Sequence, residues 1–237
     1  MNKREVLEVY DRSYAQRYNQ TFLENPDNKF LEKSLFEIEI LKRLTGQAES
    51  WLDVACGTGY FLRRARGNSV IRCAGLDISH AMLAEARAAN PDAHFVEADF
   101  LQPQPGFDGR WDVTSCMWGA YGLQENVRNI ETLVENLATW TRSGGACFVP
   151  VFDLALFIDQ QERGVLMKGV EIDLNRDCWS FVEPDGKTHR DVLAPPVPIM
   201  EAIFKNYFES IETFPYPSGK DGIPMAGIIA RRAGGLL

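Results

Sequence analysis

An aspartate inside an apolar run, two glycines just behind it and a second aspartate further along are the residues of this chain best placed to do chemistry. The run is WLDVACGTGYF, residues 51–61, in which Asp53 precedes Gly57 and Gly59. Glycines there remove side chains, so the backbone can bend sharply and a ligand can lie against the peptide groups. Asp77 follows eighteen residues after Gly59. At the end of a second strand, that acid suits the two hydroxyls of a ribose. A pyrophosphate cradle would want a third glycine three residues after Gly59, but Leu62 stands there, and Asp53 would repel phosphate. The sign of the charge favours a nucleoside with a cationic part. Taken alone, Asp53 reads equally as a cap or a satisfied buried acid, and Asp77 as a cap beside Ser79. The glycines behind one and the strand-end place of the other favour binding.

These residues need a scaffold that brings strand ends together. Residues 51–55, 71–76, 95–98, 113–117 and 147–152 are short apolar runs suited to strands buried on both faces. Helical segments alternate with them. Residues 30–44 carry apolar side chains on helical spacing with Gly46 as a stop. SHAMLAEARAAN is rich in helix formers behind a Ser79 cap, and Val127, Ile130, Leu133, Val134 and Leu137 mark a further amphipathic helix. The alternation predicts an α/β fold with a doubly wound, mostly parallel sheet. Beyond Asp153 the helical period is lost, and Pro184-Asp185-Gly186 reads as the turn of a hairpin. A helical PIMEAIFKNYF then leads to two last strands, SIETFPY and MAGIIARR. With no repeat and no long linker, residues 1–237 read as a single domain, with 154–198 as an insertion that acts either as a lid or as a homodimer contact.

Composition narrows the partners. The 237 residues carry a formal charge of -8, which argues against tracking nucleic acid phosphates or an anionic membrane surface. The five cysteines are odd in number and widely spaced, without a Cys-x-x-Cys pair, and read as reduced core thiols. No signal-like N-terminus and no apolar run of about eighteen residues is present, so the cytoplasm is expected. His80 and His94 lack convergent ligands, so no metal is expected. His189, beside the expected turn, reads as exposed, with a role in chemistry as the lesser alternative. Asp153 ends the fifth strand, where substrate groups collect in such sheets. Trp118 and Tyr121 follow the fourth strand and tilt toward the site, although either would pass as a core aromatic.

The ordered motifs LDVACGTGYF, GLDIS, EADF and WDVTSCMWGAYGL resemble those of the class I S-adenosylmethionine-dependent methyltransferases, strongly over residues 48–152. Ala55 stands where that family most often has its first glycine. The resemblance implies a Rossmann-like seven-stranded sheet with an antiparallel last strand and S-adenosyl-L-methionine as cofactor. It implies that Asp53 contacts the amino acid end of the cofactor, that Ala55, Gly57 and Gly59 form its backbone wall, and that Asp77 holds the ribose. Ile78 and Met82 would pack on adenine, Asp99 and Phe100 would read its amine, and the Met117 carbonyl would hold the ammonium. The N-terminal YDRSYAQRY, within a helical cap over residues 1–47, resembles a segment that folds over the cofactor, with Tyr10, Tyr14 or Tyr18 near the sulfonium. As readily, tyrosines four apart form a buried helical stripe. Tyr14, Trp118 and Tyr121 are the acceptor-side candidates, and Tyr121, Asp153 and His189 the candidate bases for a hydroxyl acceptor.

No Asn/Asp-Pro-Pro-aromatic motif follows the fourth strand, and the chain is similar to the small-molecule branch, such as the amino-sugar N-methyltransferases. The expected reaction is transfer of a methyl group to a nitrogen or oxygen of a small metabolite or sugar by in-line displacement. The alternatives are an NAD(P)-dependent oxidoreductase on the same architecture and a non-catalytic nucleoside-binding scaffold.

Overall fold

A twisted seven-stranded sheet runs through the protein in the order β3-β2-β1-β4-β5-β10-β9. The computed structural model describes residues 3–24, 31–66, 71–163, 170–183, 186–216 and 224–234. β1 (Ser50–Val54), β2 (Arg72–Asp77), β3 (His94–Glu97), β4 (Trp111–Cys116) and β5 (Thr141–Phe152) are mutually parallel. β10 (Met225–Arg231) is antiparallel to both β5 and β9 (Ser210–Tyr216). β1 lies at the centre and every one of its residues is buried, Asp53 included, as expected of a strand covered on both faces. The chain reverses direction of travel along the sheet after β3, so the carboxyl ends of β1 and β4 flank the crevice where ligands bind in such sheets.

The helices follow from local signals. α5 (His80–Ala89) is capped by Ser79, whose side chain accepts from the Met82 amide, as its sequence predicts. α6 (Val127–Trp140) buries Ile130, Leu133, Val134 and Leu137. Each such burial is worth about 1.5–3 kcal/mol, enough to hold a helix on the sheet. α3 (Leu31–Thr45), α4 (Tyr60–Arg66) and α8 (Val197–Lys205) complete the layers. Ahead of them the N-terminal arm forms α1 (Lys3–Val9), α2 (Arg12–Tyr18) and a π-helical turn, Asn19–Leu23.

The insertion after β5 is larger than a hairpin. It begins with α7 (Leu154–Glu162) and continues as a separate antiparallel sheet of β6 (Val170–Asp173), β7 (Cys178–Val182) and β8 (Thr188–Leu193). β7 and β8 are the arms expected from sequence, while Pro184 and Asp185 of the expected turn lie outside the described residues. α7 and β6 are additions to that reading. All five cysteines are buried free thiols. Among the described residues no helix is long and apolar enough to cross a membrane.

Candidate active site

The turn leaving β1 is built from left-handed backbone. Ala55, Gly57 and Gly59 have φ of 55°, 54° and 68°. An L-residue in that region carries a strain of about 1–2 kcal/mol, which Ala55 bears and a glycine would not. The two glycines differ in what surrounds them. A Cβ on Gly59 would lie 2.6 Å from Asn90 Nδ2 and 3.3 Å from Ala86 Cβ, so this glycine lets α5 approach the turn. A Cβ on Gly57 would meet only Met82 Cε at 3.9 Å, so this one leaves space free beside the crevice. The Gly57 amide donates to Asp77 Oδ2 and the Ser79 amide to Oδ1, both at 2.8 Å, which fixes the carboxylate at the end of β2.

Asp53 is fully buried. Its Oδ1 accepts from Ser115 Oγ at 2.6 Å, and that hydroxyl accepts in turn from Trp51 Nε1 at 2.8 Å. Its Oδ2 has no hydrogen-bond partner among the described residues. Burial pushes the Asp53 carboxyl up to about 7, the Ser115 bond opposing this and the charge of Asp77 adding to it. Asp77 is also raised by burial, against the pull of its backbone N–H bonds. Two buried acids with little cationic compensation make a place for a positive ligand and a poor one for pyrophosphate.

A cavity of about 260 Å³ opens above this turn. Tyr18, Ala55, Gly57, Asp77, Ile78, Met82, Asp99, Phe100 and Met117 all line it, as do Tyr10 and Trp118. Ile78, Met82 and Phe100 form an apolar slot beside Asp99, whose Oδ1 accepts from the Leu101 amide at 2.9 Å while Lys3 stands 3.8 Å from its other oxygen. Apolar slot, strand-end acid, open backbone turn and aromatic faces fit S-adenosylmethionine part by part. Asp53 and Gly59 are placed behind this wall and do not line it. Leu62, at the position a third glycine would take, is buried in the core.

The N-terminal arm covers the cavity. Ser79 Oγ donates to the Tyr10 carbonyl at 2.8 Å, Thr58 Oγ1 to Asn19 Oδ1 at 2.6 Å, and Lys187 to the Val9 carbonyl. Tyr10, Tyr14, Tyr18 and Phe22, each four residues on, meet ring to ring at 5.3, 5.5 and 5.3 Å. The tyrosines do form a ring-to-ring stripe, and Tyr10 and Tyr18 within it line the cavity.

A second chamber of about 120 Å³ shares Tyr10, Tyr18, Trp118 and Leu123 with the first. Its other walls include Tyr14, Phe22, Phe152, Trp179, Phe181, Glu183, His189 and Lys33. Tyr14 is thus corrected: it faces this chamber and not the larger cavity. His189 is corrected as well, being buried rather than exposed. It pairs with Phe181 across β7 and β8 and stacks on it with centroids 4.4 Å apart and planes 5° from parallel. Its Nε2 bonds Glu183 Oε1, which also accepts from Tyr14 Oη at 2.6 Å. Trp118 holds a left-handed backbone, φ 58°, and serves as a wall to both spaces.

Two candidates fall elsewhere. Tyr121 lines neither space. Its buried hydroxyl accepts from the Phe152 amide at 2.8 Å, and burial drives its acidity far from that of a working base. Asp153 lines neither space and caps α7 by accepting from the Leu156 amide at 3.1 Å. Glu183, Lys33, Trp179 and Phe181 were not singled out from sequence. Only the pairing of β7 with β8 and the return of α3 bring them to the chamber, and no local motif marks them.

Comparison with known proteins agrees with this geometry. Residues 52–145 match a family described as a methyltransferase domain. A dTDP-3-amino-3,6-dideoxy-alpha-D-glucopyranose N,N-dimethyltransferase from Streptomyces fradiae is 33% identical over 110 residues, 46% of this chain and 42% of the relative. A trans-aconitate 2-methyltransferase from Escherichia coli O1:K1 / APEC is 36% identical over 91 residues, 37% of this chain and 36% of the relative. The matches thus span less than half the length of these curated relatives. The structure of the sugar N-methyltransferase KedS8 from Streptoalloteichus sp. superimposes with a TM-score of 0.66 at 18% identity, covering 93% of this chain and 92% of that one, which shows a shared fold. Residues 52–145 thus resemble a methyltransferase domain, and the chain as a whole shares the fold of a sugar N-methyltransferase.

Proposed function

We propose that the protein transfers a methyl group from S-adenosylmethionine to a nitrogen or oxygen of a small metabolite or sugar-type acceptor. The observation that carries this reading is the pair of adjoining spaces, one walled for a cationic nucleoside and the other lined with aromatic rings, with Trp118 and Tyr18 common to both. When bound, S-adenosylmethionine would supply a sulfonium methyl whose carbon the acceptor attacks in line, the S–C bond pair leaving with sulfur.

The chain's own part is to bind, align and exclude water. Asp77 takes the ribose hydroxyls, Ile78, Met82 and Phe100 hold the adenine, and Asp99 reads its amine. Ala55, Gly57 and the Met117 carbonyl face the methionine end, with Asp53 supplying negative charge from behind. The faces of Tyr10, Tyr18 and Trp118 favour a cation by roughly 0.5–2 kcal/mol each, according to how fully it is desolvated. The arm, tied down at Tyr10 and Val9, closes the site to water. We assign the 154–198 insertion the role of acceptor-side wall, since Phe157 and Phe152 pack on Trp179 and the insertion supplies Trp179, Phe181, Glu183 and His189. Five buried thiols suit a reducing cytoplasm.

Incubation with methyl-labelled S-adenosylmethionine and a panel of small amines, amino sugars, alcohols and carboxylic acids tests the reading. Label is expected in a low-molecular-weight product. Label found only in protein or nucleic acid would overturn it.

A further inference from the structure

Glu183 is the acidic group of the aromatic chamber, and its bonding is left incomplete, as is that of the Trp179 indole N–H. Its side chain is 3% exposed, and its Oε1 already receives Tyr14 Oη and His189 Nε2. Its Oε2 is buried with no hydrogen-bond partner among the described residues. Leaving a carboxylate oxygen dry and unsatisfied is costly unless a ligand completes it. The groups around it hold it in place: His189 is clamped in a stack with Phe181, which stacks in turn on Trp179 at 4.5 Å.

The other charges near the chamber do not cancel this carboxylate. Lys33 lies over the Trp118 ring at 4.3 Å, but its ammonium is paired with buried Glu37 at 2.7 Å on the next turn of α3. Lys187 stands 4.2 Å over the Tyr14 ring, bonds the Val9 carbonyl and does not line the chamber. Arg17 sits 5.0 Å over the Tyr14 ring, also outside the lining. Tyr10, Tyr14 and Tyr18, the titratable groups of the arm that line the chamber, have their phenols raised by burial and by Glu183 itself, so they stay neutral donors. What remains is one carboxylate in an aromatic box, joined to His189 through Oε1 and open at Oε2. That combination recognises an organic cation.

We propose that Glu183 reads the methyl acceptor: its unpaired oxygen takes a hydrogen bond, and then a proton, from a protonated amine seated in the aromatic chamber. This rests on the transferase reading and narrows its acceptor to an amine. An ammonium has no lone pair, so it must lose a proton before it can act as a nucleophile. One N–H bond breaks and one O–H bond forms on Glu183 Oε2, leaving a neutral amine and a carboxylic acid whose other oxygen still receives Tyr14 and His189. The methylated product leaves as the cation, and Glu183 returns its proton to water once the chamber opens.

The test uses cyclohexylamine, cyclohexanol and cyclohexanecarboxylate as probes of one shape and three charges, titrated at pH 7 with and without S-adenosylhomocysteine. Quenching of indole fluorescence from Trp118 and Trp179 reads the chamber, and calorimetry reads the nucleoside. The wild-type protein is expected to bind the amine about tenfold or more tightly than the alcohol, as a charged hydrogen bond implies, with the acid weakest. Glu183→Gln is expected to level amine and alcohol while leaving affinity for S-adenosylhomocysteine unchanged. Equal binding of amine and alcohol by the wild type, tighter binding of the acid, or a preference surviving in Glu183→Gln would each overturn the proposal. Should Glu183→Gln misfold, the wild-type series decides alone. Failure to bind S-adenosylhomocysteine would instead strike the transferase reading, while the amine series still judges Glu183.

Discussion

Gly57 and Gly59 share a left-handed backbone and stand two residues apart, yet the structure gives them different work, and one methyl group added to each should separate the two roles. In Gly59→Ala the new Cβ is at φ 68° and 2.6 Å from Asn90 Nδ2. The backbone strain is about 1–2 kcal/mol. Forcing α5 away adds about 1–3 kcal/mol. Asn90 Nδ2 also donates to the carbonyls of Gly59 and Ala86 at 3.2 and 3.1 Å, and disturbing those bonds adds about 1 kcal/mol. Loss of glycine's freedom in the unfolded chain returns about 0.4–1 kcal/mol. The net is a destabilisation of about 3–4 kcal/mol, or roughly 10 °C in Tm for a chain of this size.

In Gly57→Ala the same strain and the same offset leave only about 1 kcal/mol, because the methyl meets nothing nearer than 3.9 Å. That methyl instead enters the space proposed for the nucleoside, and affinity for S-adenosylhomocysteine should fall about tenfold or more. Thermal melts and calorimetry on the two variants give a crossed result, one protein fragile but binding, the other sturdy but binding poorly. Two variants with equal melting temperatures and equal affinities would refute the division of labour.

Other outcomes follow from the same geometry. Ala55→Gly should raise stability by about 0.5–1 kcal/mol in urea melts by relieving the left-handed alanine, and a loss of stability would contradict that reading of its φ. For Asp53, the folded carboxyl sits near 7, above its ordinary value, so the folded state holds the proton more tightly than the unfolded one. Its contribution to stability is complete below about pH 4 and is lost as pH rises toward about 7, at up to about 1.4 kcal/mol per unit. The difference in urea stability between the wild type and Asp53→Asn should carry this slope in the ligand-free protein, and a pH-independent difference would count against it. Tyr121→Phe removes the acceptor of the Phe152 amide and should lower stability by about 1–2 kcal/mol while leaving the methyl-transfer rate of the folded enzyme unchanged. A large fall in rate at equal stability would restore Tyr121 as a catalytic group.

What the sequence shows plainly is what depends on neighbours along the chain. The turn at 55–59, the acid ending β2, the Ser79 cap and the stripe of α6 each lie within one or two elements, and each stands where its local signal puts it. The second chamber is different. His189 meets Phe181 only through strand pairing, in a ladder whose register shifts between Trp179 and Phe181, so alternation along either strand alone misplaces it. A histidine in THRD reads as solvated until a buried glutamate six residues earlier is known to face it. Lys33 enters from a helix more than a hundred residues away in sequence, its charge hidden by Glu37. Tyr121 and Asp153 show the opposite error, since a place after a strand end also suits a residue that ties the chain into the core or caps the next helix.

The central claim is that the crevice beyond β1 and β2 is shaped and charged for a sulfonium nucleoside. Calorimetric titration of the purified protein with S-adenosylmethionine and, separately, with NAD+ tests it most directly, using Asp77→Ala as the control for the ribose contact. The account predicts stoichiometric binding of S-adenosylmethionine, none of NAD+, and loss of the first in Asp77→Ala. Tight uptake of NAD+ with no binding of S-adenosylmethionine would contradict it.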